Sequence, residues 1–537
     1  LFGDLLRKLL GQIPDLHLRA SQWYEENGFE LEAFQHATAA NDIQRAEQLI
    51  NGSRVPLYFL GLARPVLHWL ESLSTETLNT YPSLWVTYAW SLMTTYQNTQ
   101  IEHKLKMAEA ALTNIEADHH TRDLFGHIAA IRAMNAAIDY ELDTIITHAE
   151  QALDLLHSDN LYIRTTVMRS LAIAYQFQGN RAAARDTYQK TISMSEASDN
   201  YFVNVLATTG LGILQESDNQ LYEAAETYQR VLDLVGDPHQ PIGCAAYLGL
   251  ARIHYAWNDL DTAQQYGKQG VYLAQQIEGI DSSAGGEIFL AQLLLIKGNV
   301  SGASTTLDNA EQVIHRQNFT QQIPKAAEAR IRLYLQQGDL QQAYALAQAH
   351  NLPLSQARVA LKERKPSDAL AVLLPYHMEM QSKNWYDEQL KALVLLSLAY
   401  HQLDDVDTAL TTLMDALTLA VQGGIIHVFV DEGQPMQKLL TEAATRGMMP
   451  DYIRKLLTVI EHQHPNQISN QPLIEPLSER ELEILSLVSE GLSNQEISDR
   501  LYLALSTVKG HNRNIFDKLH VKRRTEAVAR ARELGII

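Results

Sequence analysis

Residues 325–350 read KAAEARIRLYLQQ, then Gly338-Asp339, then LQQAYALAQAH, and the pair in the middle decides the fold. Gly, Asn or Asp tolerates the left-handed backbone that ends one helix, or caps the next. The flanking stretches are rich in Ala, Leu and Gln, so the unit reads as helix, turn, helix. The same mark stands at Gly179-Asn180, Asn219-Gln220, Asn258-Asp259 and Gly298-Asn299, and through to Gly338 the successive spacings are 40, 39, 40 and 40 residues. Five residues after each mark begins comes an alanine: Ala184, Ala224, Ala263, Ala303 and Ala343. One turn further on stands a mostly larger residue, as in Tyr188, Tyr228 and Leu307, with Gly267 and Ala347 the small exceptions. Asn41-Asp42 with Ala46 and Ile50 keeps this register, as do Ala108/Leu112, Ala149/Leu153, Ala369/Leu373 and Ala409/Leu413. The alanine lets two helices approach closely, and the residue one turn on fills the groove between them. Each hairpin buries its apolar face only against its neighbours, so the array predicts a solenoid.

Such units resemble tetratricopeptide (TPR) repeats, whose period is about 34 residues; a longer period implies longer helices. The TPR-like domain is placed at residues 21–420. Composition agrees with an all-α protein. Of 537 residues, 46% are hydrophobic and 20% charged, with only 27 Gly and 15 Pro, which excludes disorder over the whole length. The single cysteine, Cys244, excludes an internal disulfide and points to a reducing compartment, hence a cytoplasmic location. No apolar run reaches the roughly 18 residues of a membrane helix. The opening LFGDLLRKLL lacks a methionine and any signal-peptide layout, so residues 1–20 are expected to be the remnant of a region further upstream.

After the repeats the texture changes. GGIIHVFVDEGQPM (423–436) carries a short β-branched run, and MQKLLTEAATRG and DYIRKLLTVIEH read as amphipathic helices. Residues 421–461 are therefore a connecting helical segment. Residues 462–476, within HQHPNQISNQPLIEPLS, hold prolines and amides without helical period and form a linker.

The net charge of −20 argues against nucleic acid, but the C-terminus reverses that locally. From Lys509 to Arg532 eight basic residues face two acidic ones, a local +6. In residues 477–537, Ser478-Glu479-Arg480-Glu481 is a capping box, Ser493 caps a second helix, and Ser506 caps a third, TVKGHNRNIFDKL. A fourth spans roughly Arg524–Leu534. A short helix, a tight turn at Tyr502–Leu505 and a basic helix make a helix-turn-helix. Around the third helix, Val508, Ile515 and Leu519 share the apolar side, while Lys509, Gly510, Arg513, Asn514 and Asp517 share the opposite arc. Lys509 and Arg513 are candidates to donate to guanine in the major groove; Gly510 between them removes a side chain that would hold the backbone off DNA. Lys518, Lys522, Arg523 and Arg524 suit phosphates. His511 lies toward the buried edge, where packing and phosphate bonding are equal readings.

The module closely resembles the DNA-binding domain of the LuxR family through Leu477-Ser478-x-Arg480-Glu481, Gly491-Leu492-Ser493-Asn494-x-Glu496-Ile497, Thr507-Val508-Lys509-x-His511 and Lys518-Leu519-x-Val521. Asn512, at a position often apolar in the family, and Ala504-Leu505, in place of a more polar turn, depart from it. The resemblance implies a four-helix domain on a double-stranded DNA operator, with Asn494, Ser506, Thr507 and His511 joining the backbone contacts. It also implies a homodimer or higher oligomer on DNA through Ala527, Val528, Ala531 and Leu534, the apolar side of the last helix, and RNA polymerase as a further partner. Upstream, Ala20-Ser21-Gln22-Trp23-Tyr24-Glu25-Glu26-Asn27-Gly28 with Glu32-Ala33-Phe34-x-His36-Ala37, and Val428-Phe429-Val430-Asp431-Glu432-Gly433, resemble the large ATP-binding, MalT-like branch of that family. This implies a transcription regulator whose repeats sense a small-molecule inducer or a partner protein. It also implies ATP as a cofactor of a preceding domain only.

No cofactor or metal is expected in this chain. There is no G-x-x-x-x-G-K-[ST] phosphate loop and no G-x-S-x-G elbow. Gly210-Leu211-Gly212 lacks the third glycine of a dinucleotide loop. His119-His120 with His127, and His462 with His464, read as solvated histidines, because no cysteine or completed i, i+4 ligand pair accompanies them. Tyr188 and Tyr228 recur at one register and read as packing residues, not a sugar site. Two rivals remain: a protein-interaction scaffold, and an enzyme with a pocket in the repeats, which lacks any catalytic motif.

Overall fold

The computed structural model describes residues 14–51, 55–95, 97–113, 118–137, 141–277, 281–463, 477–519, 521 and 523–533. Every regular element among them is helical, and no helix is long and apolar enough to cross a membrane. The chain divides into two units, 1–428 and 429–537.

In the first unit, successive antiparallel hairpins follow the sequence marks. Leu161–Gln178 pairs with Arg181–Ala197, Tyr201–Ser217 with Leu221–Val235, Cys244–Ala256 with Leu260–Ala274, and Ser282–Ile296 with Val300–Gln317. Ile323–Gln337 with Leu340–Ala349, Pro353–Lys362 with Pro366–Ser382, and Tyr386–Gln402 with Val406–Val421 continue the array. The mark works as a two-residue joint. Its first member is left-handed every time, with φ of +86° at Gly179, +59° at Asn219, +67° at Asn258, +76° at Gly298 and +80° at Gly338. Its second member caps the next helix: Asn180, Asp259, Asn299 and Asp339 each accept the amide three residues on. Gln220 makes no such bond. All five register alanines are fully buried.

Tyr188 and Tyr228 are core residues, as their shared register predicts. A Cβ on Gly249 would lie 2.3 Å from the Tyr228 ring, and one on Gly212 would lie 2.7 Å from it. The glycines are thus the seats of an oversized side chain, and Gly212 has no part in a phosphate loop. The Tyr228 hydroxyl donates to Glu216 (2.9 Å), so its polar end is satisfied.

Three expectations are adjusted. Residues 14–20 are no separate remnant: Pro14–Glu26 runs through the 20/21 boundary and packs on Glu30–Ala39, with Ser21 Oγ donating to Ala33 O (2.8 Å); residues 1–13 lie outside the described residues. The β-branched run forms a one-turn helix, His427–Val430, across which the two units divide. Helix Pro450–Gln463 ends two residues inside the expected linker, and 464–476 lie outside the described residues.

Candidate nucleic-acid interface

The last module has four helices: α1 (Glu479–Ser489), α2 (Asn494–Leu501), α3 (Leu505–Lys518) and α4 (Arg524–Glu533). The predicted capping box forms, and the predicted cap at Ser493 is part of a second box. Ser478 Oγ accepts the Glu481 amide while Glu481 accepts the Ser478 amide, and Ser493 and Glu496 do the same for α2. The Ser493 amide and hydroxyl hold the Glu496 carboxyl below its ordinary range. These local devices fix where α1 and α2 begin, and hence where the turn to α3 lies.

That turn is built on Tyr502, which adopts a left-handed conformation (φ +51°) and is 96% exposed. Leu503 N donates to Ser498 O (3.0 Å) and Ser498 Oγ returns a bond to Leu503 O (2.6 Å). Helix α3 then starts at Leu505, two residues earlier than predicted. Ala504 O already accepts from Val508 N (3.2 Å), so Ser506 stands exposed in the first turn, not at the cap.

Val508, Ile515 and Leu519 enter the module core with Ile484, Leu485, Val488 and Ile497. The opposite arc is open: Ser506, Thr507, Lys509, Gly510, Arg513 and Asn514 are exposed. Nothing lies within 4 Å of a Cβ built on Gly510. A side chain therefore fits there in the free protein, and packing does not explain the glycine.

Other predicted contacts are already engaged within the module. Lys518 Nζ binds Glu481 Oε2 (3.0 Å) and ties α3 to α1. Burial pushes the Glu481 carboxyl up, but the Ser478 amide and the Lys518 ammonium hold it below its ordinary value. The Arg524 guanidinium donates to Leu492 O, and lies 3.4 Å from Val488 O and Asn494 Oδ1. Asn494 Oδ1 also accepts from Asn512 Nδ2 (2.8 Å); this bond gives the buried polar Asn512 its place where the family often has an apolar residue. His511 is half-buried. Arg523 is exposed and near Glu526 (3.8 Å). Lys522 lies outside the described residues.

The expected dimerisation stripe is corrected. Ala527 and Ala531 are fully buried in the module's own core, because α4 closes over it. Val528 packs partly buried beside them, and Leu534 lies outside the described residues.

In the repeats, His127 is a structural residue: Trp90 Nε1 donates to its Nδ1 (3.1 Å) and Asn160 Nδ2 lies 2.9 Å from its Nε2. No group of three or more His, Cys, Asp or Glu is placed to hold a metal among the described residues.

Comparison with known proteins places both parts. Residues 126–446 match the MalT-like TPR region, and residues 475–531 match the bacterial regulatory proteins of the luxR family. The chain is 24% identical to the HTH-type transcriptional regulator MalT of Serratia proteamaculans (strain 568), over 99% of this chain and 64% of that protein. It is 24% identical to the regulator of the same name from Cronobacter sakazakii (strain ATCC BAA-894), over 99% and 63%. The chain thus spans less than two thirds of these relatives. A Rap protein crystallised with competence and sporulation factor shares the helical-repeat fold, with a TM-score of 0.50 and 13% identity over 64% of this chain and 99% of that one.

Proposed function

We propose, from the premise that this chain belongs to the MalT-like TPR family, that it is the sensory and DNA-binding part of a transcription regulator. The observation that carries this reading is the open arc of α3. Lys509 and Arg513 stand exposed on either side of a glycine that the fold itself does not require, over a buried Val508, Ile515 and Leu519. In this reading α3 enters the major groove of double-stranded DNA, with Lys509 and Arg513 on base edges and the Gly510 backbone close to them. Ser506, Thr507, Arg523 and Lys522 hold phosphates. Lys518, Arg524 and Asn494, spent within the module, position α3 and leave the contacting to others. Two copies act on one operator, where RNA polymerase is the further partner, and the setting is cytoplasmic. ATP belongs to a domain other than the repeats and this module, because no phosphate-loop string occurs in the 537 residues.

The test is site selection with the full chain, followed by titration against salt. Binding to the selected duplex should fall steeply as salt rises, through counterion release. Salt-insensitive capture of a protein with no selected DNA sequence would establish the scaffold instead.

A further inference from the structure

Among the described residues, eleven other than glycine have a positive φ, and eight of those are Asn or Asp. Short polar side chains meet that conformation at the least cost, and a bulky ring at the most. Arg364 and Met449 are two of the exceptions, and Tyr502, in the turn from α2 to α3, is the third. Tyr502 gains nothing by burial in exchange. It is 96% exposed, and the next most open large apolar residue described, Met378, is 68% exposed. Neither its ring nor its hydroxyl has a partner among the described residues.

The backbone around it is nevertheless held firmly. Arg480 Nη2 donates to Leu501 O (3.1 Å) on one side. On the other, Leu503 N donates to Ser498 O (3.0 Å), Ser498 Oγ donates to Leu503 O (2.6 Å), and Leu503 packs against the module core. A strained residue persists where its surroundings fix it, and such residues gather at functional sites. The turn also decides where the ring goes. Along Tyr502–Ser506 exposure alternates: Tyr502, Ala504 and Ser506 are exposed, Leu503 and Leu505 half-buried. Tyr502 therefore shares an outward edge with Ser506, with only the small Ala504 between them. Ser506 is one of the residues that the DNA reading sets against phosphate. Tyrosine hydroxyls donate to phosphate oxygens in such interfaces, and a tyrosine has few rotatable bonds to freeze when it binds.

We propose that the Tyr502 hydroxyl donates a hydrogen bond to a backbone phosphate of the duplex that α3 enters. The inference rests on the DNA reading of α3 and deepens it, adding a neutral contact to the cationic ones. Such a contact holds the module in register without reading sequence. It also leaves the salt dependence alone, because a neutral donor displaces no counterion.

Gel-shift titration of the full chain tests this, on selected and scrambled duplexes at several salt concentrations. Tyr502→Phe, which keeps the ring, should weaken both duplexes about tenfold with the parent's salt dependence. Tyr502→Gly should weaken both at least as much, yet melt no lower than the parent, because glycine suits the left-handed end of a helix. Tyr272→Phe, on another exposed tyrosine (57%), should change nothing. The proposal is overturned if Tyr502→Phe loses affinity only on the selected duplex, or if the salt dependence falls with the affinity. It is also overturned if Tyr502→Gly melts clearly lower, which would make the ring a support of the fold. Unchanged DNA binding with weakened binding of RNA polymerase would give the ring to a partner protein instead. A parent that binds no duplex overturns the DNA reading and this contact together; a parent that binds, with Tyr502→Phe binding equally, overturns the contact alone.

Discussion

Arg252 in the repeat array folds back onto Glu216, whereas Lys509 and Arg513 in the terminal module extend into solvent with no ion-pair partner among the described residues. Both regions are helical and both carry cations on an inner or outer face, but they spend them differently. Where the repeats bring charges together they pair them: Arg252 with Glu216, Lys391 with Glu388, and Arg330 with Asp308 and Glu311. In the module, cations are divided by height along α3: those near its N-terminus are free, and Lys518 at its end is locked to buried Glu481. A free cation marks a surface meant for something else, and a paired one marks a joint. Four sets of substitutions press on that distinction.

The largest effect is expected in the array, at a residue with no charge. Tyr228 fills the space between Gly212 and Gly249 with its ring fully buried. Tyr228→Ala should cost about 3–5 kcal/mol, the range for deleting a large buried side chain. Urea unfolding followed by circular dichroism measures it. A loss within experimental scatter of zero would mean that the repeats tolerate an empty seat, and that the tyrosine register serves something other than packing.

Much of this was legible in the sequence, for a physical reason. The two-residue joint is a backbone requirement, so it leaves the same residue types at the same spacing each time, and the left-handed φ at all five first members follows from it. Caps are equally local, and the Ser478-Glu481 box and the Ser493 cap could be read directly, although the return bond from Glu496 was not. What depends on tertiary partners was not legible. Lys518 and Arg524 look like phosphate ligands in the sequence, because nothing near them in the chain shows Glu481 or the Leu492 carbonyl waiting. The apolar stripe of α4 looked like a subunit interface, since periodicity tells that a face is buried but not against what. The contacts between distant hairpins had no signal at all: Asn219 meets the Tyr386 carbonyl, and Trp257 the Gly423 carbonyl, from more than 160 residues away.

The next largest effect separates a joint from a contact. Glu481 is 4% exposed, closes the capping box of α1 and receives Lys518. Glu481→Ala removes a cap and a charge-assisted bond together, and should cost the module about 2–3 kcal/mol. Lys518→Ala should lose less, because the box survives. With folded protein, neither should change which DNA sequence is preferred. A sequence preference altered by Lys518→Ala would move that lysine from the joint to the contacting set.

Arg513→Ala and Lys509→Ala should do the reverse. Both side chains are exposed and unpaired among the described residues, so thermal stability should hardly move. Specific binding should fall by about 1–3 kcal/mol, the worth of one base-edge contact. Arg523→Ala should instead weaken selected and scrambled duplexes alike and lower the salt dependence. Gel-shift titration on both duplexes distinguishes the two outcomes. Equal losses on both for Arg513→Ala would reassign it to phosphate.

The smallest effect is the one most specific to a surface that serves a partner. Gly510 sits in the middle of α3, where glycine costs about 0.5–1 kcal/mol relative to alanine through the backbone entropy lost on folding. Its φ is not left-handed, and a Cβ there meets nothing within 4 Å. The free protein thus has no steric reason to avoid alanine and a modest thermodynamic reason to prefer it. Gly510→Ala should therefore raise the module's stability by about 0.5–1 kcal/mol. If α3 lies in the major groove with its backbone close to base edges, the same change should weaken specific DNA binding, and Gly510→Val should weaken it further. Stability and binding then move in opposite directions for one substitution. A structural glycine would lose both together, and an idle one would gain stability at no loss of binding. Either result would remove Gly510 from the interface and leave Lys509 and Arg513 to reach DNA from a helix held further out.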